Sequence, residues 1–332
     1  MNRNLYRAYK AEIVPTGAQR EKMRQNMGVC RFLYNEYLNT NIELYKLYKE
    51  GALAKGEDHF ISAIDFDKYV NRELKSKDEF AWIGLCGSKA RKKAISNAQA
   101  AYMNYFRNER RFPQFKCYEK PAVKLYYPRN NAYDWTIGRD FVKVPTFGRV
   151  RLKERGYLPV NAVVMSGTLS YFAGRYFVSV LVQQEPLVQY STGECLHVQF
   201  DAECFVRCGD VRGYNVEALA GVKRLKKALR REKRSLRRKA MLREYSVQME
   251  KQRLRVEKLR YRLSCIRQDF IKKLTAAIVG RAPSCLVLDK MPPPVKGKDS
   301  AYTAQERILF YVFTRRLMHK AQLHGIEIID NV

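Results

Sequence analysis

Residues 223–262, KRLKKALRREKRSLRRKAMLREYSVQMEKQRLRVEKLRYR, hold 18 basic and 4 acidic residues, a surplus of 18 − 4 = +14 within 40 positions. Such a run is in large part a solvated face, because unpaired charges are too expensive to bury. It also lies in a helical segment that continues to about residue 280, where Leu259, Leu263, Ile266, Phe270 and Leu274 fall at i, i+4, i+7, i+11 and i+15 on one packing stripe. The pattern predicts a long helical hairpin over about 217–280. Many of its i,i+4 neighbours carry like charges, which disfavours an isolated helix. A polyanion laid along the hairpin removes that penalty.

The rest of the chain agrees with a polyanion partner. Lys and Arg number 63 against 33 Asp and Glu, for a formal charge of +30 over 332 residues. Self-repulsion at that charge destabilises a compact state unless something neutralises it. The arginine share suits bidentate phosphate contacts, so nucleic acid is the natural partner. With 46% hydrophobic and 12% aromatic residues the chain can bury a core, and its length suggests two or three domains. No run approaches eighteen apolar residues and the N-terminus lacks a signal-peptide core, which predicts a soluble cytoplasmic protein without a membrane partner. The eight cysteines, Cys30, Cys86, Cys117, Cys195, Cys204, Cys208, Cys265 and Cys285, form no CxxC pair. They are expected to be reduced and mostly buried, with no metal site.

Along the chain, LYRAYKAEIV (5–14) reads as a strand stopped by Pro15, and Thr16 as the N-cap of the next helix. Further helices follow to about residue 110, including SKARKKAISNAQAAYMNYF with Ala94, Ala98, Ala101, Tyr105 and Phe106 at helical spacing. From FPQFK (112–116) the texture changes to short β-rich runs, among them a hairpin, TLSYFAGRYFVSVLV, turning at Ala173-Gly174. This organisation predicts an α+β multidomain chain: a small β-barrel completed by the first strand, with the helical block inserted between its strands. After Pro186 come a strand at 195–200, the basic hairpin, a strand SCLVLD, the loop MPPPVKGKDS, a helix around 303–324 and a last strand GIEIID.

Several landmarks arrive in order: RAYKAEIVPTGAQ, GVCRFLYNEYL, AYMNYFRNERRFPQFK, VKVPTFGRVRL, and RQDFIKKLTAAIV followed by CLVLDKM. With these the chain resembles TnpB, the transposon-encoded RNA-guided nuclease related to type V CRISPR effectors. The resemblance implies a wedge (β-barrel) domain at 1–15 and 112–188, a helical recognition domain at 16–111, and a RuvC-like domain of RNase H fold at 189–332. That last domain would lack the family's C-terminal zinc ribbon and final catalytic motif. The implied partners are a guide RNA and double-stranded target DNA, in a monomeric ribonucleoprotein acting at the prokaryotic nucleoid.

An RNase H-type nuclease needs about three carboxylates around a magnesium pair. In the resembled family the first aspartate lies six residues before a phenylalanine; here Gln199 holds that place before Phe205, between His197 and Asp201 rather than glycines. Asp201 could substitute if the strand slips by two residues, which preserves its facing. The family's second carboxylate aligns with Asp289, one methylene shorter, which reads better as a simple surface aspartate after a one-residue insertion. The sequence then reaches Asp330-Asn331-Val332 before the third motif. The expectation is a protein that is not an enzyme, similar to the nuclease-dead TnpB-derived repressors called TldR. It would bind DNA under guide control, without needing a metal for binding, and repress transcription by occupancy. A residual nuclease using Asp201, Asp289 and Asp330, and a transposon remnant that only binds RNA, stay open beside it.

Two surfaces carry the nucleic acid in this reading. Arg230, Arg231, Arg234, Arg237 and Arg238, together with Phe115 and Lys116 of FPQFK, are assigned to RNA. For DNA, the helix beginning at Ser88 offers Lys89, Arg91, Lys92, Lys93 and Tyr102, its N-terminus already favouring phosphate. By the resemblance Ser88 and Lys92 fall at the positions that read a short motif beside the target, and Ser62, Asp65 and Tyr69 line the same groove.

Overall fold

The computed structural model describes residues 5–52, 59–107, 111–117, 124–129, 131, 134–184, 190–201, 203–241, 246–289 and 303–330. The chain clusters into two compact units, Tyr6–Gln184 and Glu185–Val332 with Met1–Leu5.

In the first unit, strand β1 (Leu5–Val14) ends at Pro15, whose missing N–H cannot continue a ladder. Thr16 then caps helix α1 (Gly17–Lys49) through a capping box with Gln19. Helix α2 (Ala63–Arg72) and two 3-10 segments, Leu74–Ser76 and Asp78–Leu85, lead to α3 (Ser88–Phe106). The β-rich run then supplies β2 (Leu125–Pro128), β3 (Thr136–Ile137), β4 (Phe141–Val144), β5 (Gly148–Leu152), β6 (Val164–Phe172) and β7 (Arg175–Gln184).

These strands form one sheet in the order β2-β6-β7-β1-β5-β4-β3, so the first strand joins two hairpins made far later in the chain. The expected closed barrel is not what the described ladder shows: it runs from β2 to β3 without joining them. The β6–β7 turn is the one read from Ala173-Gly174. Phe172 pairs with Arg175, and both loop residues have positive φ, 54° and 79°, which matches the right-handed strand twist. The helices are not a separate lobe. Tyr37, Phe66 and Ile95 share a continuous core with Tyr127, Val150 and Val180 of the sheet.

The second unit carries β8 (Cys195–Asp201), β9 (Phe205–Cys208), β10 (Val211–Arg212), α4 (Ala220–Met241), α5 (Val247–Val279), β11 (Cys285–Leu288), α6 (Ala304–Leu323) and β12 (Glu327–Asp330). The strand order is β10-β9-β8-β11-β12. β11 lies parallel to both β8 and β12, while β8, β9 and β10 form an antiparallel meander. Phe270, Ile271 and Leu274 of α5 and Phe310, Phe313 and Leu317 of α6 pack with Val198, Val206, Leu286 and Leu288 of the sheet. The basic hairpin of the sequence is α4 and α5. Gln252 locks it by donating to the Glu232 carbonyl at 3.1 Å and to its carboxylate at 2.7 Å. The loop MPPPVKGKDS lies outside the described residues.

At the foot of the hairpin, Glu217 is buried at 7% exposure and binds Arg267 of α5 through two bonds of 2.6 and 3.0 Å, and Lys226 of α4. Burial alone would raise the Glu217 pKa; the Arg267 and Lys226 contacts outweigh it and hold the carboxyl below its ordinary value.

One cysteine expectation is corrected. Cys195 and Cys285 are register partners on β8 and β11, with Cα atoms 4.7 Å apart, and they are joined as a disulfide. Spacing of 90 residues gives no hint of this pairing; strand register creates it. Nor are the thiols mostly buried: Cys30, Cys86 and Cys208 are, whereas Cys117 and Cys265 are exposed.

Candidate nucleic-acid interface

All five arginines assigned to RNA are exposed on α4. Arg230, Arg234, Arg237 and Arg238 fall at i, i+4, i+7 and i+8, one side of the helix, and span about 12 Å at the ~1.5 Å rise per residue. Arg231 is paired with Glu232 at 3.2 Å while keeping 76% of its side chain exposed. Leu225 and Leu229 are only partly exposed. A charged ridge of this kind carries phosphate without a shaped pocket.

FPQFK behaves differently at its two ends. Phe115 is 53% exposed and available for stacking. Lys116 turns inward: Asn35 of α1 clamps its backbone, accepting from its N–H at 2.8 Å and donating to its carbonyl at 2.9 Å, and Nζ sits 3.5 Å from the centre of the Tyr34 ring. Burial lowers the Lys116 pKa. Asn35 is a residue the sequence did not single out, and GVCRFLYNEYL offered no signal for it beyond an amide on a helix.

On the DNA side, α2 and α3 lie together, tied by Gln99 accepting from the Ala63 N–H at 2.8 Å. Lys92 reaches Asp67 of α2 at 3.6 Å and stays 65% exposed. Asp67 went unnoticed in the sequence; its side chain is 13% exposed, and its Oδ1 has no hydrogen-bond partner among the described residues. Lys89 pairs with Asp134 at 3.2 Å, and Lys93 lies over the Tyr126 ring at 5.5 Å. Ser88, Lys92 and Lys93 are exposed. Ser62 is occupied as the α2 N-cap, accepting from the Asp65 N–H and donating to its carboxylate at 2.6 Å. Tyr69 packs partly buried against the core.

Two of the assigned residues do not reach the surface. Arg91 is 6% exposed and Tyr102 3%, the latter donating to the Asn41 carbonyl at 3.1 Å. Both lie on the inward side of α3, with Ala94, Ile95 and Ala98. The expected DNA face therefore narrows to Ser88, Lys92 and Lys93, flanked by Lys89.

At the end of the second sheet, Leu288 pairs with Val198, and the Asp289 N–H donates to the Val198 carbonyl at 3.2 Å. Asp289 thus comes level with Gln199, which is exposed. Asp201 does not slip into the Gln199 place. Its Oδ1 accepts from the Glu203 and Cys204 N–H groups at 2.7 and 3.1 Å, and its Oδ2 holds Arg207 at 3.0 Å. Those backbone bonds, with Arg207, hold its carboxyl below the ordinary range. It forms the turn into Phe205, whose φ is +71°. Asp330 ends β12, in register with Leu288. Among the described residues no group of three or more His, Cys, Asp or Glu could hold a metal ion. Of these residues, Gln199 supplies no charge and Asp201 is taken up by its own turn. His59, His197, His319 and His324 join no such group either.

Residues 1–50 match a family model described as a helix-turn-helix domain, of the IS605 OrfB type. The described part of that stretch is β1 followed by one continuous helix, α1. In sequence the chain is 27% identical over 183 residues to InsQ of Escherichia coli (strain K12), a protein named as an RNA-guided DNA endonuclease, covering 54% of this chain and 40% of that protein. It is 25% identical over 184 residues to a protein of Streptomyces pristinaespiralis named as an RNA-guided DNA endonuclease, covering 55% and 43%. It thus spans about two fifths of the length of the curated relatives it matches. In fold it is similar to a Cas12f1 chain solved as a Cas12f1–sgRNA–target DNA complex, with a TM-score of 0.53, 9% identity, and coverage of 98% of this chain and 89% of that one. No helix among the described residues is long and apolar enough to cross a membrane.

These findings correct one expectation. Gln199 and the missing third motif point to a non-enzyme, yet both sequence relatives carry the name of an endonuclease. Gln199 and the unfound third motif do not by themselves separate a chain from relatives that carry that name. The chain is similar in its first fifty residues to IS605 OrfB proteins, in sequence to proteins named RNA-guided DNA endonucleases, and in fold to Cas12f1.

Proposed function

We propose that the chain is an RNA-guided DNA-binding protein whose exposed α4 arginines hold the guide RNA and whose α2–α3 face meets double-stranded DNA. The α4 ridge carries the reading: it lies in the run with a surplus of +14, and its five arginines are all exposed. Counterion release from phosphates is the favourable process such a surface supports. Specificity would then rest on guide pairing, with Ser88 and Lys92 contacting a short adjacent motif. In this assignment the first unit supplies a wedge and a recognition element, the second a RuvC-like one, and a single copy acts with its RNA. Binding itself draws on phosphate contacts and needs no divalent ion. A complex that stays in place excludes RNA polymerase from the same stretch of DNA.

The deciding experiment copurifies RNA with the full chain, sequences it, and measures binding to a duplex matched to that RNA. Binding is expected to vanish after RNase treatment and for a scrambled duplex. Equal affinity after RNase overturns guidance. A Mg2+-containing arm measures strand cleavage, the activity named in the relatives.

Lys92→Ala is expected to weaken binding to the matched duplex about five- to tenfold, the scale of one charge-assisted contact, with RNA copurification unchanged. Parallel gel-shift and RNA-retention measurements check it. Equal loss of both would show that Lys92 matters through Asp67 and helix packing instead.

A further inference from the structure

Trp135 has a ring buried to 5% exposure, and its Nε1 has no hydrogen-bond partner among the described residues. An indole N–H is a donor only, and leaving it unmatched inside a protein is costly. The chain nonetheless shapes the sheet around this ring. Gly167 of β6 is bare beneath it, where an added Cβ would fall 2.1 Å from the indole. Trp135 also lines a half-open cavity of about 190 Å³ with Arg129, Ile137, Asn161, Ala162 and Val164. The buried donor without a partner calls for an acceptor, and the cavity on the same residue is a separate observation that offers room for one.

The lining selects its chemistry. Ile137, Ala162, Val164 and the indole form apolar walls, which disfavour desolvating a phosphate dianion. Arg129 and Asn161 offer donors near the cavity, and Arg also stacks on flat rings. An acceptor-edged planar heterocycle satisfies all of these. Resting on the nucleic-acid reading above, we infer that this cavity receives one unstacked nucleobase, held through a ring or carbonyl acceptor on the Trp135 Nε1–H. The base comes from either the guide RNA or the DNA strand, and the test separates the two.

The chain has two tryptophans, so Trp82→Phe leaves Trp135 as the sole indole emitter. Trp82 does not line the cavity; it donates to the Glu79 carbonyl and packs on Phe32. The full chain carrying Trp82→Phe is stripped of RNA, and Trp135 emission is followed during titration with its copurified RNA and then with matched duplex. Quenching on RNA addition assigns the base to the guide; quenching only on duplex addition assigns it to DNA. Emission indifferent to both, while binding persists, means that water fills the cavity and overturns the inference. In a second arm Trp135→Phe, which keeps a ring but removes the donor, is expected to weaken the same binding step about fivefold, the scale of one hydrogen bond. Arg129→Ala serves as the check should that variant fold poorly, with an expected loss of similar size. If Trp135 is quenched by RNA yet guide-matched DNA binding is absent, the proposed function fails and the pocket stands.

Discussion

Replacing Arg234, Arg237 and Arg238 together by alanine lowers the salt slope of RNA binding by about two to three units, at roughly 0.7–0.9 per lost phosphate contact. The three side chains lie exposed on one stretch of α4. At physiological salt the loss is about 100-fold, near 1 kcal/mol per contact. Affinity measured across a salt series reads both quantities from one data set. Folding should hold, because none of the three is buried and removing like charges at i,i+4 relieves repulsion within the helix. An unaltered slope would reduce the α4 ridge to a solvated face and remove the main support for the RNA assignment.

Glu217→Ala should destabilise the second unit by about 3 kcal/mol, the scale for breaking a buried ion pair from one side. It leaves Arg267, with a side chain 20% exposed, facing a vacancy where two hydrogen bonds had been. Denaturant unfolding gives the magnitude; a pH series gives the cause. The Glu217 pKa is lowered in the fold, so its contribution is fully present above the ordinary carboxylate value of 4.5 and fades as pH falls through the lower folded value. The stability gap between parent and variant should therefore narrow below pH 4.5. A gap that stays constant into acid would mean packing, not charge, holds the hairpin foot.

The local signals that the chain wrote plainly are those with a short-range mechanism. The Thr16 cap and the two-residue turn at Ala173-Gly174 both appear where read, and Gln19 completes the cap as a capping box. Arg91 shows a signal present but overridden. Within SKARKK it reads as one more surface cation, yet Ala94, Ile95, Ala98 and Tyr102 follow it at i+3, i+4, i+7 and i+11, the spacing of the buried stripe. Periodicity outranked residue type. Asp201 and the Cys195–Cys285 pair were illegible for another reason: a turn that takes up a carboxylate and a ladder that aligns two thiols exist only once strands meet. Lys116 likewise needed Tyr34 and Asn35 from a helix some eighty residues earlier.

The position of β1 sets the schedule on which this protein can be made. Ile13 pairs with Leu152, and β7, on the other side of β1, is completed only at Gln184. At roughly 5–20 residues per second of synthesis, the nascent strand waits on the order of ten seconds with both edges open. A strand with unpaired edges in that state invites pairing with other chains, so yield in a heterologous host should respond more to translation speed and chaperone supply than to the stability of the finished sheet.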